Sequence, residues 1–186
     1  MNRREFVAGI GSVGVLAGAG SLLWRGPPSF GDEPGTAEDE ASNDPLEVET
    51  IDARGSEAGT ITVPDETVTA ILFFTTGCGN CQAQMPRLAE AREGLVQRHG
   101  DAVGFLSVTY QTPETMPADD LREWWATHSG DWPVGYDSGL ARSYGAIGFP
   151  VTIVVGSDGE KHWERNGIQE PGTITDAVES VLEGEE

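Results

Sequence analysis

The only two cysteines in the chain, Cys78 and Cys81, are separated by two residues, and they carry its strongest chemical signal. Sulfurs at this spacing can form a reversible disulfide, bind a metal with other ligands, or staple the chain. A staple here would close a loop of about four residues and stabilise by only about 2 kcal/mol. A structural zinc site needs four ligands, and His99, His128 and His162 have no close pairwise spacing. We therefore favour redox exchange.

A buried strand and a helix must position these sulfurs. Val68–Thr75 is an apolar run of strand length that ends at Gly77, and it predicts a central strand. A helix is predicted from about Asn80 to Gln97, ended by Gly100. Its apolar face holds Cys81, Met85, Leu88, Leu95 and Val96.

The two sulfurs are predicted to have different roles. Cys78 lies just before the first helical turn, where free N–H groups and the helix dipole favour a thiolate. Cys81 lies one turn into the helix on its apolar face, where it is shielded. We therefore expect Cys78 to attack a disulfide and Cys81 to resolve the resulting mixed disulfide.

The rest of the chain alternates strands and helices, which predicts an α/β domain with a central mixed sheet flanked by helices. Further strands are predicted at 48–53, 60–63, 103–110, 134–136, 151–155 and 161–165. Further helices are predicted at 118–127, at 140–144, and from a Thr173 cap to about Leu182. Of the adjacent tryptophans Trp124 and Trp125, we expect one in the core and one partly exposed.

Charge limits the classes of partner. The chain has 186 residues, with 31 acidic and 11 basic side chains, and its formal net charge is −20. This length suits one domain, and the acidic excess disfavours nucleic acid or an anionic membrane surface as a partner. Abundant acid with a single lysine, Lys161, resembles the composition of proteins from salt-loving organisms, where salt screens self-repulsion.

The amino-terminal residues predict export. Asn2-Arg3-Arg4-Glu5-Phe6-Val7 resembles the twin-arginine motif, and an uncharged stretch follows at 6–24. Residues 1–25 are thus expected to be a twin-arginine signal peptide or an amino-terminal membrane anchor. Residues 26–46 are expected to be an acidic flexible linker, and residues 47–186 the folded domain. The domain would work outside the cytoplasmic membrane, where disulfides persist.

Residues 47–186 resemble the thioredoxin superfamily, and more closely its exported TlpA-like branch. The resemblance rests on several features in the right order. These are the strand Ala70–Phe74, Cys78-Gly79-Asn80-Cys81, Pro86, and Tyr144-Gly145-Ala146-Ile147-Gly148-Phe149-Pro150-Val151-Thr152, followed by an apolar strand and a Ser-Asp-Gly turn.

The resemblance implies a thioredoxin-like fold in which Pro150 is cis and faces the cysteine pair. Phe149 and Pro150 would then shape the substrate groove, with the Phe149 backbone pairing with an extended substrate segment. No organic cofactor is implied, because the two sulfurs carry both electrons. We also expect a monomer without a metal site. Pro86 would kink the long helix.

Three positions depart from the family pattern. Thioredoxins have a tryptophan just before the first cysteine, where this chain has Gly77. They also have a buried aspartate six residues before that cysteine, where this chain has Leu72. Many reducing TlpA-like proteins have a glutamate three residues after the second cysteine, where this chain has Gln84. Each missing carboxylate could serve as base for the buried thiol, so no base is assigned to Cys81.

The expected function is thiol–disulfide exchange with extracytoplasmic protein thiols or disulfides, favoured as reduction. Electrons would come from a membrane electron-donor protein. Two alternatives stay open at this stage. One is a copper-handling or metal-site assembly protein that uses the same thiols. The other is a binding module with an inert disulfide.

Overall fold

A computed structural model describes residues 45–185. The predicted signal or anchor and nearly all of the predicted linker lie outside the described residues. None of the helices within 45–185 has the length and apolar character that crossing a membrane requires. The elements in chain order are β1 (Leu46–Thr50), β2 (Gly59–Val63), β3 (Val68–Phe74), α1 (Gly79–His99), β4 (Val103–Thr109), α2 (Ala118–Thr127), β5 (Val134–Tyr136), α3 (Leu140–Ser143), β6 (Val151–Val155), β7 (Lys161–Asn166) and α4 (Pro171–Glu185).

The strands form one mixed sheet in the order β2-β1-β5-β4-β3-β6-β7. The inner strand β3 runs parallel to β4 and antiparallel to β6. The register places Phe74 opposite Thr109 of β4, and Phe73 opposite Val151 of β6. The carboxyl ends of β3 and β4 therefore meet the amino end of β6. We call this the cysteine end of the sheet, because the loop from β3 leads directly to Cys78.

Side chains of β3 alternate between two apolar clusters, one on each face of the sheet. Ala70, Leu72 and Phe74 belong to a cluster to which α1, α2 and α4 contribute. Ile71 and Phe73 belong to the other cluster, together with residues of α3. Every residue of β3 is buried, which explains why its sequence is a continuous apolar run rather than an alternating one. The predicted central mixed sheet flanked by helices is confirmed.

Most predicted bounds agree with the structure, and those of α2, β5 and β6 coincide with it. Gly100 ends α1, as predicted, with a φ of 58° that favours glycine. β1 begins two residues earlier than predicted and ends at Thr50, because a short antiparallel bridge between Ala53 and Ser56 turns the chain away.

Two predictions for the helices are wrong. Val96 is exposed, because it lies about 100° around the helix from the buried Leu95. The last helix begins at Pro171 rather than after a Thr173 cap. Proline suits the first helical position, because its φ is preset and its missing N–H would have no partner there. Thr173 therefore lies within the first turn.

Candidate active site

Cys78 occupies the N-cap position of α1. Its backbone is extended, with φ −96° and ψ 115°, and its Sγ accepts a hydrogen bond from the Cys81 N–H at 3.1 Å. A cap side chain normally offers an oxygen to these free N–H groups, and here sulfur takes that place. The N–H donor and the positive end of the helix dipole both interact favourably with negative charge on Sγ. The side chain is half-buried, so it remains open to a reaction partner.

Cys81 lies in the first turn of α1 and is fully buried in the apolar cluster that includes Leu72 and Phe74. Burial, and then the hydrogen bond to Cys78, raise the pKa of its thiol to about 12. Both cysteines are free thiols in the structure. The structure therefore places a half-exposed sulfur and a shielded, protonated sulfur at the start of one helix.

The loop between β3 and α1 is held through Thr76. The Thr76 carbonyl accepts hydrogen bonds from Trp124 Nε1 at 3.1 Å and Gln82 Nε2 at 3.2 Å. Its N–H and hydroxyl both donate to Gln111 Oε1, at 2.8 and 2.9 Å. Side chains from α1, α2 and the segment after β4 thus fix the loop two residues before Cys78.

Trp124 lies in a stack of rings beside this loop. Its ring centroid is 5.0 Å from that of Phe74 and 4.4 Å from that of His128. Trp125 is fully buried and Trp124 is half-buried, which confirms the division predicted for the pair. The contact of Trp124 with the Cys78 loop was not predicted. It joins residues 48 positions apart, which no local pattern indicates.

Pro150 lies at the cysteine end of the sheet, directly before β6. The Phe149–Pro150 peptide bond is cis, as the family resemblance implies. Pro150 is buried, and its carbonyl accepts a hydrogen bond from the Gly167 N–H at 2.8 Å. Because Phe73 pairs with Val151, this loop is next to the one that carries Cys78. The structure thus brings all four predicted site residues, Cys78, Cys81, Phe149 and Pro150, to one end of the sheet.

Tyr110 supports the segment before Pro150 and was not singled out from the sequence. Its hydroxyl donates to the Ala146 carbonyl at 3.2 Å, and its ring centroid is 6.3 Å from that of Phe149. Its N–H donates to the Phe74 carbonyl at 3.1 Å. The sequence could have indicated a role for Tyr110 near the site. Tyr110 directly follows Thr109 at the carboxyl end of β4, and this end lies beside the carboxyl end of β3, which leads to Cys78.

Two positions singled out from the sequence as lacking a carboxylate hold neutral, buried side chains. Leu72 lies in the apolar core, and Gln84 lies one turn after Cys81 on α1. Gln84 Oε1 accepts a hydrogen bond from the Gln169 N–H at 2.6 Å, which fixes the orientation of the amide. Its Nε2 has no hydrogen-bond partner among the described residues, and neither does the buried hydroxyl of Thr152.

One group of potential metal ligands is found among the described residues, and it does not include the cysteines. Within residues 45–185, the one group of three ligand-type side chains close enough to share an ion is Asp158, His162 and Glu185, and all three are exposed. This group contains neither Cys78 nor Cys81.

Comparison with known proteins identifies the fold. No family model matches the chain, and no curated protein matches its sequence. Solved structures do match it, and StoA from Bacillus subtilis is one of them. StoA has a TM-score of 0.61 and 18% identity over 74% of this chain and 98% of that chain. The described domain has a thioredoxin-like fold.

Two other structures similar to this thioredoxin-like domain come from proteins described as secreted or exposed. A secreted disulfide oxidoreductase of Mycobacterium tuberculosis has a TM-score of 0.57 and 13% identity, covering 73% of this chain and 95% of its own. An exposed lipoprotein thioredoxin of Streptococcus pneumoniae has a TM-score of 0.57 and 20% identity, covering 73% and 98%. At such low identity, these likenesses establish the fold alone.

Proposed function

We propose that this protein is a thiol–disulfide oxidoreductase that exchanges disulfides with other proteins through Cys78 and Cys81. The observation that carries the proposal is the 3.1 Å hydrogen bond from the Cys81 N–H to Cys78 Sγ. It places one sulfur at the helix cap, where negative charge is favoured, and its partner just behind it in the core. The thioredoxin-like fold and the oxidoreductases among the similar structures support this function.

The first step is attack by the Cys78 thiolate on one sulfur of a substrate disulfide. A bond forms between Cys78 Sγ and that sulfur, the substrate S–S bond breaks, and the other substrate sulfur leaves as a thiolate. This thiolate takes up a proton from water. The half-exposed position of Cys78 suits this role, because the attacking sulfur must reach a second protein.

The second step resolves the mixed disulfide. Cys81 loses its proton, attacks Cys78 Sγ and forms the Cys78–Cys81 disulfide, and the remaining substrate sulfur leaves and becomes protonated. The substrate has gained two electrons and two protons, and the cysteine pair has lost them. Burial raises the pKa of the Cys81 thiol, so loss of that proton is the demanding part of this step.

Phe149 and Pro150 shape the substrate groove in this proposal. No hydrogen bond from the Phe149 backbone to another described residue is present. The half-exposed residue lies in the loop next to the one that carries Cys78, so its peptide groups are free to pair with an extended substrate segment. Pro150 itself has no N–H, and it is buried directly after this segment.

The proposal extends to direction and place of action. We favour reduction of extracytoplasmic protein disulfides by a monomer that receives electrons from a membrane protein. The twin-arginine motif at Asn2–Val7 supports export, and similar structures from secreted and surface-exposed proteins are consistent with it. Cell fractionation of the full chain tests this part, because a wholly cytoplasmic protein would contradict it.

One experiment tests the chemistry. The protein is equilibrated against defined ratios of reduced and oxidised glutathione or dithiothreitol, as wild type and as Cys78→Ser and Cys81→Ser. We expect a reversible two-electron couple in the wild type only, and a trapped mixed disulfide on Cys78 in Cys81→Ser. A potential below about −300 mV would indicate an inert structural disulfide instead. Metal analysis of the reduced protein tests the copper-handling alternative.

A further inference from the structure

Three side chains that can bind a metal ion converge where the turn between β6 and β7 meets the end of α4. Asp158 lies in the turn, His162 lies on β7, and Glu185 is the last residue of α4. One ligand-type atom of each lies within 4.8 Å of the other two. Spacing along the chain did not indicate this group, because Glu185 belongs to a different segment from the other two.

The separation of the first two ligand atoms suits a small divalent ion. His162 Nε2 lies 3.3 Å from Asp158 Oδ1. Two ligands of a tetrahedral zinc ion, each about 2.0–2.2 Å from the metal, are about 3.3–3.6 Å apart. Glu185 is exposed, so rotation about its side-chain bonds can bring its carboxylate to the same separation.

Gly156 leaves open the space around which the three atoms lie. A methyl group on this residue would be 2.6 Å from Glu185 Oε1, and 2.7 Å from both Asp158 Oδ1 and His162 Nε2. Any other residue at this buried position would therefore push the three atoms apart. A cavity of about 290 Å³ opens beside them, lined by the same three side chains and by further residues of β7 and α4.

Backbone N–H groups orient the two carboxylates. The Ser157 N–H donates to Glu185 Oε1 at 2.8 Å, and the Glu160 N–H donates to Asp158 Oδ1 at 2.8 Å. Hydrogen bonds of this kind hold metal ligands in position. The bond from Glu160 also lowers the pKa of the Asp158 carboxyl, which keeps this ligand in its charged form.

Charge and ligand type together indicate the class of ion. Two carboxylates lie at the carboxyl end of α4, where the helix dipole is negative, and the whole chain has a formal charge of −20. This place therefore favours a cation. Ca²⁺ and Mg²⁺ prefer ligand sets made of oxygen, whereas Zn²⁺ and other first-row transition-metal ions bind imidazole nitrogen together with carboxylate oxygen.

We propose that Asp158, His162 and Glu185 bind a divalent transition-metal ion, with Zn²⁺ as the preferred occupant. Three protein ligands leave the fourth position to water. The ion joins the turn between β6 and β7 to the end of α4, and thereby holds the last helix against the sheet. This site is separate from Cys78 and Cys81 and takes no part in the exchange that they are proposed to perform.

Zinc titration of the untagged, full-length Cys78→Ser/Cys81→Ser protein measures this site without competition from the thiols. By isothermal titration calorimetry, we expect one Zn²⁺ bound per chain. We also expect a higher Tm in the presence of zinc, because an ion that binds the folded state stabilises it. Ca²⁺ and Mg²⁺ at the same concentration should produce neither effect. A protein that shows no saturable zinc binding would overturn the proposal.

Two variants of this protein test the assigned residues. His162→Ala removes one ligand, so we expect zinc affinity to fall by at least about 100-fold, the upper end of the loss caused by removing an outer-shell partner. Gly156→Ala keeps all three ligands but fills the space between them, and affinity should fall by at least about 10-fold. The atoms that the new methyl group displaces are the ends of exposed side chains. We therefore expect Gly156→Ala to fold, which circular dichroism verifies.

His99→Ala is the matched control. His99 Nε2 lies 3.1 Å from Glu179 Oε1, another carboxylate of α4, and the His99 side chain is about as exposed as that of His162. No third ligand-type side chain within residues 45–185 completes that pair, so His99→Ala should keep the parent affinity for zinc. Equal loss of affinity in His99→Ala and His162→Ala would place the ion elsewhere. Unchanged affinity in both His162→Ala and Gly156→Ala would leave the group as a surface ion pair only. Either result would overturn the proposal.

Discussion

Gln84 is one of the two positions at which the missing base can be supplied by a single substitution. Gln84→Glu keeps an oxygen for the Gln169 N–H and replaces the unpartnered Nε2 with a second oxygen, one turn from Cys81. A carboxylate there can take the Cys81 proton, so we expect faster resolution of the mixed disulfide, by about 100-fold, the lower end for general base catalysis. Burial raises the pKa of such a carboxyl, so the gain should grow as pH rises through that pKa. Rapid chemical quenching of the mixed disulfide measures the rate.

Gln84→Leu is the control for the Gln84→Glu substitution. It removes the bond to Gln169 without adding a base, so it should lower the free energy of unfolding by about 1–3 kcal/mol and give no gain in rate. The glutamate variant should become less stable as pH rises, because its folded-state pKa lies above the unfolded value. A folded Gln84→Glu protein with the wild-type resolution rate would rule out a carboxylate as the missing element.

The two cysteines should differ sharply toward an external reagent. Cys78 is half-buried, whereas Cys81 is fully buried and its pKa is raised to about 12. Iodoacetamide reacts with thiolates, so we expect alkylation of the reduced protein near neutral pH to modify Cys78 alone. Peptide mapping by mass spectrometry measures this. Equal labelling of both cysteines in the folded protein would remove the basis for assigning attack to Cys78 and resolution to Cys81.

The raised pKa of Cys81 also predicts how stability depends on pH. An unfolded cysteine titrates near about 8.5, whereas folded Cys81 keeps its proton until about pH 12. The contribution of Cys81 to the free energy of unfolding is therefore fully present below about pH 8.5. Above that pH it declines by about 1.4 kcal/mol per pH unit. Urea unfolding of the reduced protein at increasing alkaline pH measures the slope. Cys81→Ala should flatten it, and an equal slope in that variant would attribute the loss to other groups.

At the scale of elements, α2 is expected to control the geometry of the Cys78 loop through Trp124. Trp124→Phe removes the hydrogen bond to the Thr76 carbonyl while keeping a ring beside Phe74. We expect slower attack by Cys78 and a shifted reduction potential, with a stability loss of about 1 kcal/mol. Glutathione equilibration and stopped-flow reduction measure both effects.

The neighbouring tryptophan is a matched control for that prediction. Trp125 Nε1 also donates to a carbonyl at 3.1 Å, but that carbonyl belongs to Arg54, and Trp125 is fully buried in the core. Trp125→Phe should therefore cost more stability than Trp124→Phe, because it leaves a cavity, and should keep the wild-type potential. If the two variants shifted the potential equally, the effect would reflect general loosening of α2.

Local patterns were sufficient to predict the elements that carry the cysteines. The apolar run of β3, the cap position of Cys78 and the stop at Gly100 each depend on neighbouring residues, and the structure agrees with them. The Phe149–Pro150 geometry came from the family resemblance, because sequence alone gives a cis X–Pro bond a low frequency.

Contacts between distant segments could not be predicted in the same way. Trp124 reaches the Cys78 loop because α2 packs against the carboxyl end of β3, and Ile168 lies beside Pro150 because β7 pairs with β6. Both contacts depend on tertiary packing rather than on spacing along the chain. Sequence reasoning therefore found Cys78, Cys81 and the cis proline, but not the residues that brace the Cys78 loop.

At the scale of the whole molecule, charge is expected to dominate the response to salt. With 31 acidic and 11 basic residues, the protein has a formal net charge of −20, and repulsion between like charges opposes the compact state. The ion pairs among the described residues involve largely exposed side chains, such as Arg54–Asp131 and Arg87–Glu170. Exposed pairs each contribute little, so they do not offset the repulsion.

We therefore expect the melting temperature to rise with sodium chloride between about 0.1 and 1 M, where the Debye length falls from about 10 to about 3 Å. Neutralising the exposed residues Glu90, Glu93 and Glu183 with glutamine changes the charge from −20 to −17. This variant should melt higher at low salt and respond less to added salt. Arg142→Gln changes the charge to −21 and should do the opposite. Calorimetry at each salt concentration provides the comparison. A melting temperature that responds to salt identically in all three proteins would show that self-repulsion does not govern stability, and the acidic composition would then need another physical explanation.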